Sequence, residues 1–274
     1  MREIEKIEGI YIMDNRPIGL LDSGVGGLTV VKKIIQEMPG ESTVFIGDNA
    51  HIPYGDKTKE EIVELTRNSV NFLLSKNVKL IIFACNTATA VAMDIIQKEI
   101  TVPIIGVIQS GSSAAIRATQ TNRVAVVATQ MTVALHAYQT EINARDPKVQ
   151  VTELAAPQLV PLIEKNAGRS NYLSALQQTL KPLENSTFDT LILGCTHYPI
   201  IRDEFVQCLP TGVQVVDPAD QVAESTFELM KQKGLLGASN QAAQHEYYTT
   251  GEVELVEKLG KIVLNDANFT AHHL

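Results

Sequence analysis

Short aliphatic runs bounded by turn residues alternate along this chain with longer stretches whose apolar positions recur at helical spacing. That alternation predicts βα units and a parallel sheet. Strands are expected at Ile18 to Leu21, Thr43 to Ile46, Leu80 to Ala84 and Pro103 to Val107. Between them lie helices from Leu28 to about Met38, ended by Pro39-Gly40, from Thr58 to about Ser75, and from Thr87 to about Glu99. Thr58 and Glu61 have the spacing of a capping box.

The pattern restarts after a stretch of small residues, Gln109 to Ala115. Val124 to Ala128, Val149 to Leu154 and Leu191 to Leu193 read as strands, and Val133 to Ile142, Leu159 to Glu164 and Leu173 to Leu180 as helices. A last part offers strand Val213 to Val216, a helix from Gln221 to about Lys231, strand Glu246 to Thr249 and a helix around Val253 to Leu259. The fold class expected is α/β, with two similar lobes built on mostly parallel sheets and an active site in the cleft between them. Residues 16–108 with 217–274 form the first lobe in this reading, residues 109–216 the second, and residues 1–15 an N-terminal extension. The His272-His273 pair reads as part of a mobile tail, weak metal binding being the other option.

The two lobes show internal similarity at one place. VKLIIFACNT, from Val78, sets against FDTLILGCTH, from Phe188: an aliphatic run, a small residue, a cysteine and then hydrogen-bonding side chains. Two equivalent half-sites are implied.

Composition narrows the class. The chain has 274 residues, 45% of them hydrophobic, enough for a large core or two ordinary domains. Its net charge of -8 comes from scattered residues with no basic stripe, so neither a nucleic-acid nor an anionic-membrane surface is expected. Three widely spaced cysteines without a C-x-x-C pair point to a reducing, cytoplasmic location. The first residues carry charges in place of an apolar core segment, so no signal peptide is expected, and no apolar run reaches membrane-spanning length.

In open parallel sheets ligands bind at the carboxyl ends of the strands. Four segments fall there: Asp22-Ser23-Gly24, Pro53-Tyr54-Gly55, Cys85-Asn86-Thr87 and Cys195-Thr196-His197. The DSGVGG loop, residues 22–27, lets backbone approach an anion at a helix start, although a tight βα turn explains it equally well. It has neither the Walker lysine nor the third glycine of a dinucleotide loop. Each cysteine follows a strand and precedes an expected helix, a position that lowers a thiol's pKa from about 8.5. His197 can assist a thiol or bind a ligand, Asp22 can hold a thiol or an ammonium group, and Asn86, Thr87 and Thr196 can bind a carboxylate. The plainer readings are a structural histidine, a turn aspartate and helix caps.

Two thiols on facing lobes suit inversion of a carbon centre, which needs a base on one face and an acid on the other. Thiol and thiolate exchange those roles readily. DSGVGG (22–27), PYG (53–55), ACNTATA (84–90) and LGCTHYP (193–199) occur in the order and spacing that resembles the cofactor-independent aspartate/glutamate racemases, over about Pro17 to Gly251. The resemblance implies Cys85 and Cys195 as the acid/base pair, with Asp22, Ser23, Tyr54, Gly55, Asn86, Thr87, Thr196 and His197 contacting glutamate. Asp22 and His197 would also assist proton transfer. It further implies a D-glutamate product destined for peptidoglycan, no pyridoxal phosphate or other cofactor, no metal, and a homodimer.

Three segments depart from the family pattern. GDNAHIPYG stands for GDTARCPYG, Ala128 for a glycine, and Ala156 for a frequent cysteine. Competing readings are a sister activity on aspartate, hydantoins or substituted malonates, a non-catalytic amino-acid-binding protein, and a metal site at Cys85, Cys195 and His197. Cys208, in an expected helix before Pro210, reads as packing.

Overall fold

A computed structural model describes residues 13–237 and 242–274. The expected N-terminal extension lies outside the described residues as far as position 12, and residues 13–17 lead into the first strand without regular structure.

The first half runs β1 (Ile18–Asp22), α1 (Leu28–Glu37), β2 (Thr43–Gly47), α2 (Lys59–Ser75), β3 (Leu80–Phe83), α3 (Asn86–Ile96), β4 (Ile104–Gly106) and α4 (Val107–Ala118). It continues through β5 (Arg123–Ala128), α5 (Gln130–Ala134), α6 (Ala137–Arg145), β6 (Gln150–Ala155), α7 (Leu159–Glu164), α8 (Arg169–Leu180), β7 (Thr190–Gly194), α9 (Arg202–Cys208) and β8 (Gln214–Val216). The chain ends with α10 (Pro218–Lys233), β9 (His245–Thr249), α11 (Val253–Leu264) and β10 (His272–His273).

These strands form two sheets, ordered β10-β9-β2-β1-β3-β4 and β6-β5-β7-β8. Every pairing is parallel. Helices cover both faces, so β1, β2, β3 and β7 are buried along their whole length. This is why they read as unbroken aliphatic runs without polar alternation. The α1 helix buries Leu28, Val30, Val31 and Ile34 as one stripe against the first sheet. The capping box at α2 is present: Thr58 Oγ1 accepts from Glu61 N at 3.2 Å and Thr58 N donates to Glu61 Oε2 at 2.8 Å. Such a cap contributes about 1 kcal/mol.

Three local expectations are corrected. The small-residue stretch Gln109 to Ala115 is helical and belongs to α4, inside which the expected 108/109 boundary falls. Its small residues serve close packing: a Cβ on Gly111 would sit 2.9 Å from Pro218 Cγ and 3.2 Å from Tyr138 Oη. The expected helix Val133 to Ile142 is broken at His136, which adopts φ 50° and ψ 39° and whose Nδ1 pairs with Glu153 Oε2 at 2.8 Å. Finally, His272 and His273 are an edge strand paired with Tyr248 and Thr249, because Leu274 N also bonds Thr249 O and extends the ladder.

One buried ion pair anchors the amino ends of the first sheet's strands. Lys79, with a fully buried side chain, donates to Glu41 Oε2 at 2.5 Å and to Asp14 O at 2.6 Å. Gly237 N donates to the other Glu41 oxygen at 2.7 Å.

Candidate active site

The carboxyl ends of the two sheets face each other, and the expected site residues cluster there. Asp22 is the last residue of β1 and is buried; its Oδ2 accepts from Gly27 N at 2.8 Å and Gly24 N at 3.3 Å, folding DSGVGG into a turn before α1. Across the gap, Thr196 Oγ1 donates to the same carboxylate, at 3.2 and 3.3 Å to its two oxygens. Gly26 permits this approach, since a Cβ there would lie 2.5 Å from Thr196 Oγ1 and 2.6 Å from His197 Nδ1.

Cys85 caps α3 itself: its Sγ accepts from Ala88 N at 3.4 Å, while the thiol faces Ser23 Oγ at 3.7 Å. Cys195 follows β7 but leads into a 3₁₀ turn, Tyr198–Ile201, with Pro199 in it; α9 begins only at Arg202. The expected pair of similar strand–cysteine–helix units is therefore realised at Cys85, whereas at Cys195 the 3₁₀ turn stands before the helix. Cys195 Sγ lies 3.7 Å from His197 Nδ1.

The expected caps have other work. Thr87 Oγ1 pairs with Thr129 Oγ1 of the second sheet's loop at 2.9 Å, and Thr129 in turn pairs with Thr132. Asn86 Oδ1 accepts from Tyr138 at 2.7 Å. Tyr54 Oη donates to the buried Asp48 at 2.7 Å, and Gly55 packs so closely on Thr129 that a Cβ would come within 2.9 Å. Asp48 also accepts from Thr250 Oγ1 at 2.7 Å and lies 2.8 Å from His51 Nδ1. His51 and Tyr54 of the GDNAHIPYG loop are thus tied to one carboxylate, His51 being a departure from the family pattern.

Sequence reasoning missed four residues of this cluster: Glu164, Asp48, Thr129 and Tyr138. Glu164 ends α7, and its Oε1 lies 2.6 Å from His197 Nε2. The LVPLIE run announced the helix, but nothing local pairs its last residue with a histidine 33 positions later.

Burial governs the electrostatics. The Cys85 thiol is pushed up to about 12, first by loss of water and then by the Asp22 charge; the Ala88 amide and Ser23 offset only part of this. This overturns the expectation that the helix start lowers its pKa. Burial likewise raises Asp22, against the nearby His197 and the loop N–H groups. Burial disfavours charge on His197 too, yet its hydrogen bonds to Cys195 and Glu164 prevail and hold the ring well above its usual range. A charge on Cys195 adds a smaller upward push on Cys85.

The site is closed. Cys85 and Cys195 are 4% and 6% exposed, and the cavity lined by Cys195, Asn86, Thr196 and Asp217 measures only about 10 Å³. Immediately outside Glu164 and Ile52 a larger cavity of about 540 Å³ opens, bounded also by Pro53, Val160 and Thr250. Among the described residues, no group of three or more His, Cys, Asp or Glu is arranged to hold a metal.

Comparison with known proteins places this geometry. The Asp/Glu/Hydantoin racemase family matches residues 18–226. A glutamate racemase of Lactobacillus helveticus is 58% identical over 262 residues, spanning 96% of this chain and 98% of that protein. Another from Streptococcus suis is 44% identical over 240 residues, 87% of this chain and 90% of its own. Among solved structures, a glutamate racemase isoform from Bacillus anthracis superposes with a TM-score of 0.90 at 34% identity, covering 95% of this chain and 97% of its own. The Francisella tularensis glutamate racemase in complex with D-glutamate gives 0.88 at 33% identity, covering 96% and 98%. With its family match over most of the chain and its thiol-bearing strands at the meeting of two parallel sheets, the chain belongs to the Asp/Glu/Hydantoin racemase family.

Proposed function

We propose that this chain interconverts L-glutamate and D-glutamate without a cofactor, by proton transfer at Cα between two thiols, and that it supplies D-glutamate for peptidoglycan. One observation carries the chemistry: Cys85 and Cys195 follow equivalently placed strands of two separate sheets, are both buried, and each has its own proton partner within 3.7 Å. The glutamate racemases similar to this chain over nearly its whole length support the substrate.

In this reading, one thiolate removes the Cα proton while the other cysteine, as thiol, protonates the opposite face. The roles reverse for the other enantiomer, with Cys85 serving D-glutamate as base. Without substrate Cys85 keeps its proton. His197, held protonated by Glu164, exchanges a proton with Cys195 Sγ. Burial is the larger cause of the raised Cys85 pKa and the Asp22 charge the second, and a substrate ammonium beside Asp22 offsets that second cause. Ser23, Tyr54, Gly55, Asn86, Thr87, Thr196 and backbone N–H groups hold the two carboxylates, and exclusion of water strengthens every one of these contacts.

Both thiols are almost wholly buried, so in this reading the lobes, residues 16–108 with 217–274 and residues 109–216, separate to admit glutamate. The protein is read as a cytoplasmic homodimer. Its free thiols accord with a reducing compartment, and among the described residues no helix is long and apolar enough to cross a membrane.

The test is circular dichroism of chelator-treated protein mixed with L-glutamate. The signal decays to zero with wild type and persists with Cys85→Ser and with Cys195→Ser. Inversion of aspartate but not glutamate would overturn the substrate; wild-type rates in either variant would overturn the two-thiol mechanism.

A further inference from the structure

Tyr138 is fully buried and touches both cysteine motifs at once. Its ring lies against Gly194, where a Cβ would meet Tyr138 Cε2 at 3.2 Å, immediately before Cys195. Its hydroxyl donates to Asn86 Oδ1 at 2.7 Å, immediately after Cys85. The left-handed turn at His136 restarts the helix so that Tyr138 points inward, and Gly111 leaves room for the hydroxyl.

This hydrogen bond has a chemical consequence for Asn86. An amide has one acceptor and one donor end, and either can face a ligand. The phenol is neutral, because burial, followed by the charges of Asp217 and Cys195, raises it well above its usual range. Its O–H is the only donor it can offer, and the Asn86 oxygen takes it. Among the described residues the Asn86 amide nitrogen donates no hydrogen bond, and Asn86 lines the small cavity beside Cys195. The end of the amide left for a ligand is therefore the one that attracts a carboxylate.

We infer that Tyr138 is a positioning residue that locks the Asn86 amide with its N–H₂ toward the substrate carboxylate. A freely turning amide presents its oxygen to that carboxylate part of the time, which repels it. The inference rests on the reading that Asn86 contacts glutamate.

The test is a double-mutant cycle on KM and kcat for both enantiomers, using Tyr138→Phe, Asn86→Ala and the pair. Phenylalanine keeps the ring and its packing and deletes only the hydroxyl. Tyr138→Phe is expected to raise KM about tenfold, the effect of one hydrogen bond. In the Asn86→Ala background the same change should move KM less than twofold, because the group being oriented is gone. An equal KM increase in both backgrounds would mean that the hydroxyl acts by a route other than Asn86, and this or no increase in either would overturn the inference. An Asn86→Ala protein with wild-type KM would instead overturn the placing of Asn86 against glutamate, and the inference with it. Should Asn86→Ala fail to fold, Asn86→Ser replaces it in the cycle.

Discussion

Thr196, one residue beyond Cys195 in the second sheet's loop, donates its hydroxyl hydrogen to Asp22 at the end of the first sheet's β1, 3.2 Å away. Asp22 is thereby one of the points where the two halves touch, and it is a buried carboxylate whose charge is costly. Stability and activity pull in opposite directions at this residue.

Asp22→Asn should therefore stabilise the protein at neutral pH by about 1 kcal/mol while sharply reducing racemisation. The folded-state pKa is raised above the unfolded value, so the cost of ionisation is present above the folded value and absent below the unfolded one, near 3.9. Urea unfolding at pH 7 and at pH 3.5 checks this. The gain should appear at the first pH and vanish at the second; a loss of stability at pH 7 would show that the Gly24, Gly27 and Thr196 hydrogen bonds need the charge.

Removing the carboxylate from Glu164 should have the opposite pH signature. The raised pKa of His197 means that its charged form contributes stability below the unfolded value, near 6.5, and that this is lost as pH rises through the folded value. Glu164→Gln should cost about 1.5–3 kcal/mol at pH 6 and progressively less toward pH 10. It should also slow turnover more in the direction that uses Cys195 as base. A stability difference independent of pH would leave His197 uncharged in the wild type.

Gly26 offers a purely steric probe. An added methyl group collides with both Thr196 and His197, so Gly26→Ala moves the proton partner of Cys195 without changing any chemistry. A displacement near 1 Å costs about 10²-fold in rate. Steady-state kinetics should find that loss mainly in kcat, with circular dichroism of the protein itself unchanged; a rate within twofold of wild type would mean that the loop yields.

Far from the site, Lys79 tests the frame. Lys79→Met leaves the buried Glu41 carboxylate without its cation, which should cost about 3–5 kcal/mol. Thermal unfolding should shift down while KM for glutamate stays the same. A small shift would show that water reaches Glu41 once the lysine is gone.

Much of this protein follows from local sequence. The aliphatic runs at Ile18, Thr43, Leu80, Val124 and Leu191 became fully buried strands because a parallel sheet covered on both faces has no polar side. The turn residues after them identified the loops, and the duplicated cysteine motifs marked two segments that the fold brings to the carboxyl ends of the two sheets. Glycine-rich and small-residue stretches were less legible. The run Gln109 to Ala115 resembles a connection in composition, yet it is a helix whose small residues are required by α10 and Tyr138.

Tertiary structure alone decided what each polar side chain does. Asn86, Thr87 and Thr196 have the composition of helix caps, but their partners, Tyr138, Thr129 and Asp22, stand 52, 42 and 174 positions away. The Cys85 thiol, expected to be acidified by a helix start, is instead raised by burial, since desolvation in a closed site outweighs one amide contact. Glu164 reaches His197 only because the two sheets meet end to end. Hydrophobic period is a property of neighbouring residues and is written along the chain, whereas protonation and hydrogen bonding depend on what the fold brings near.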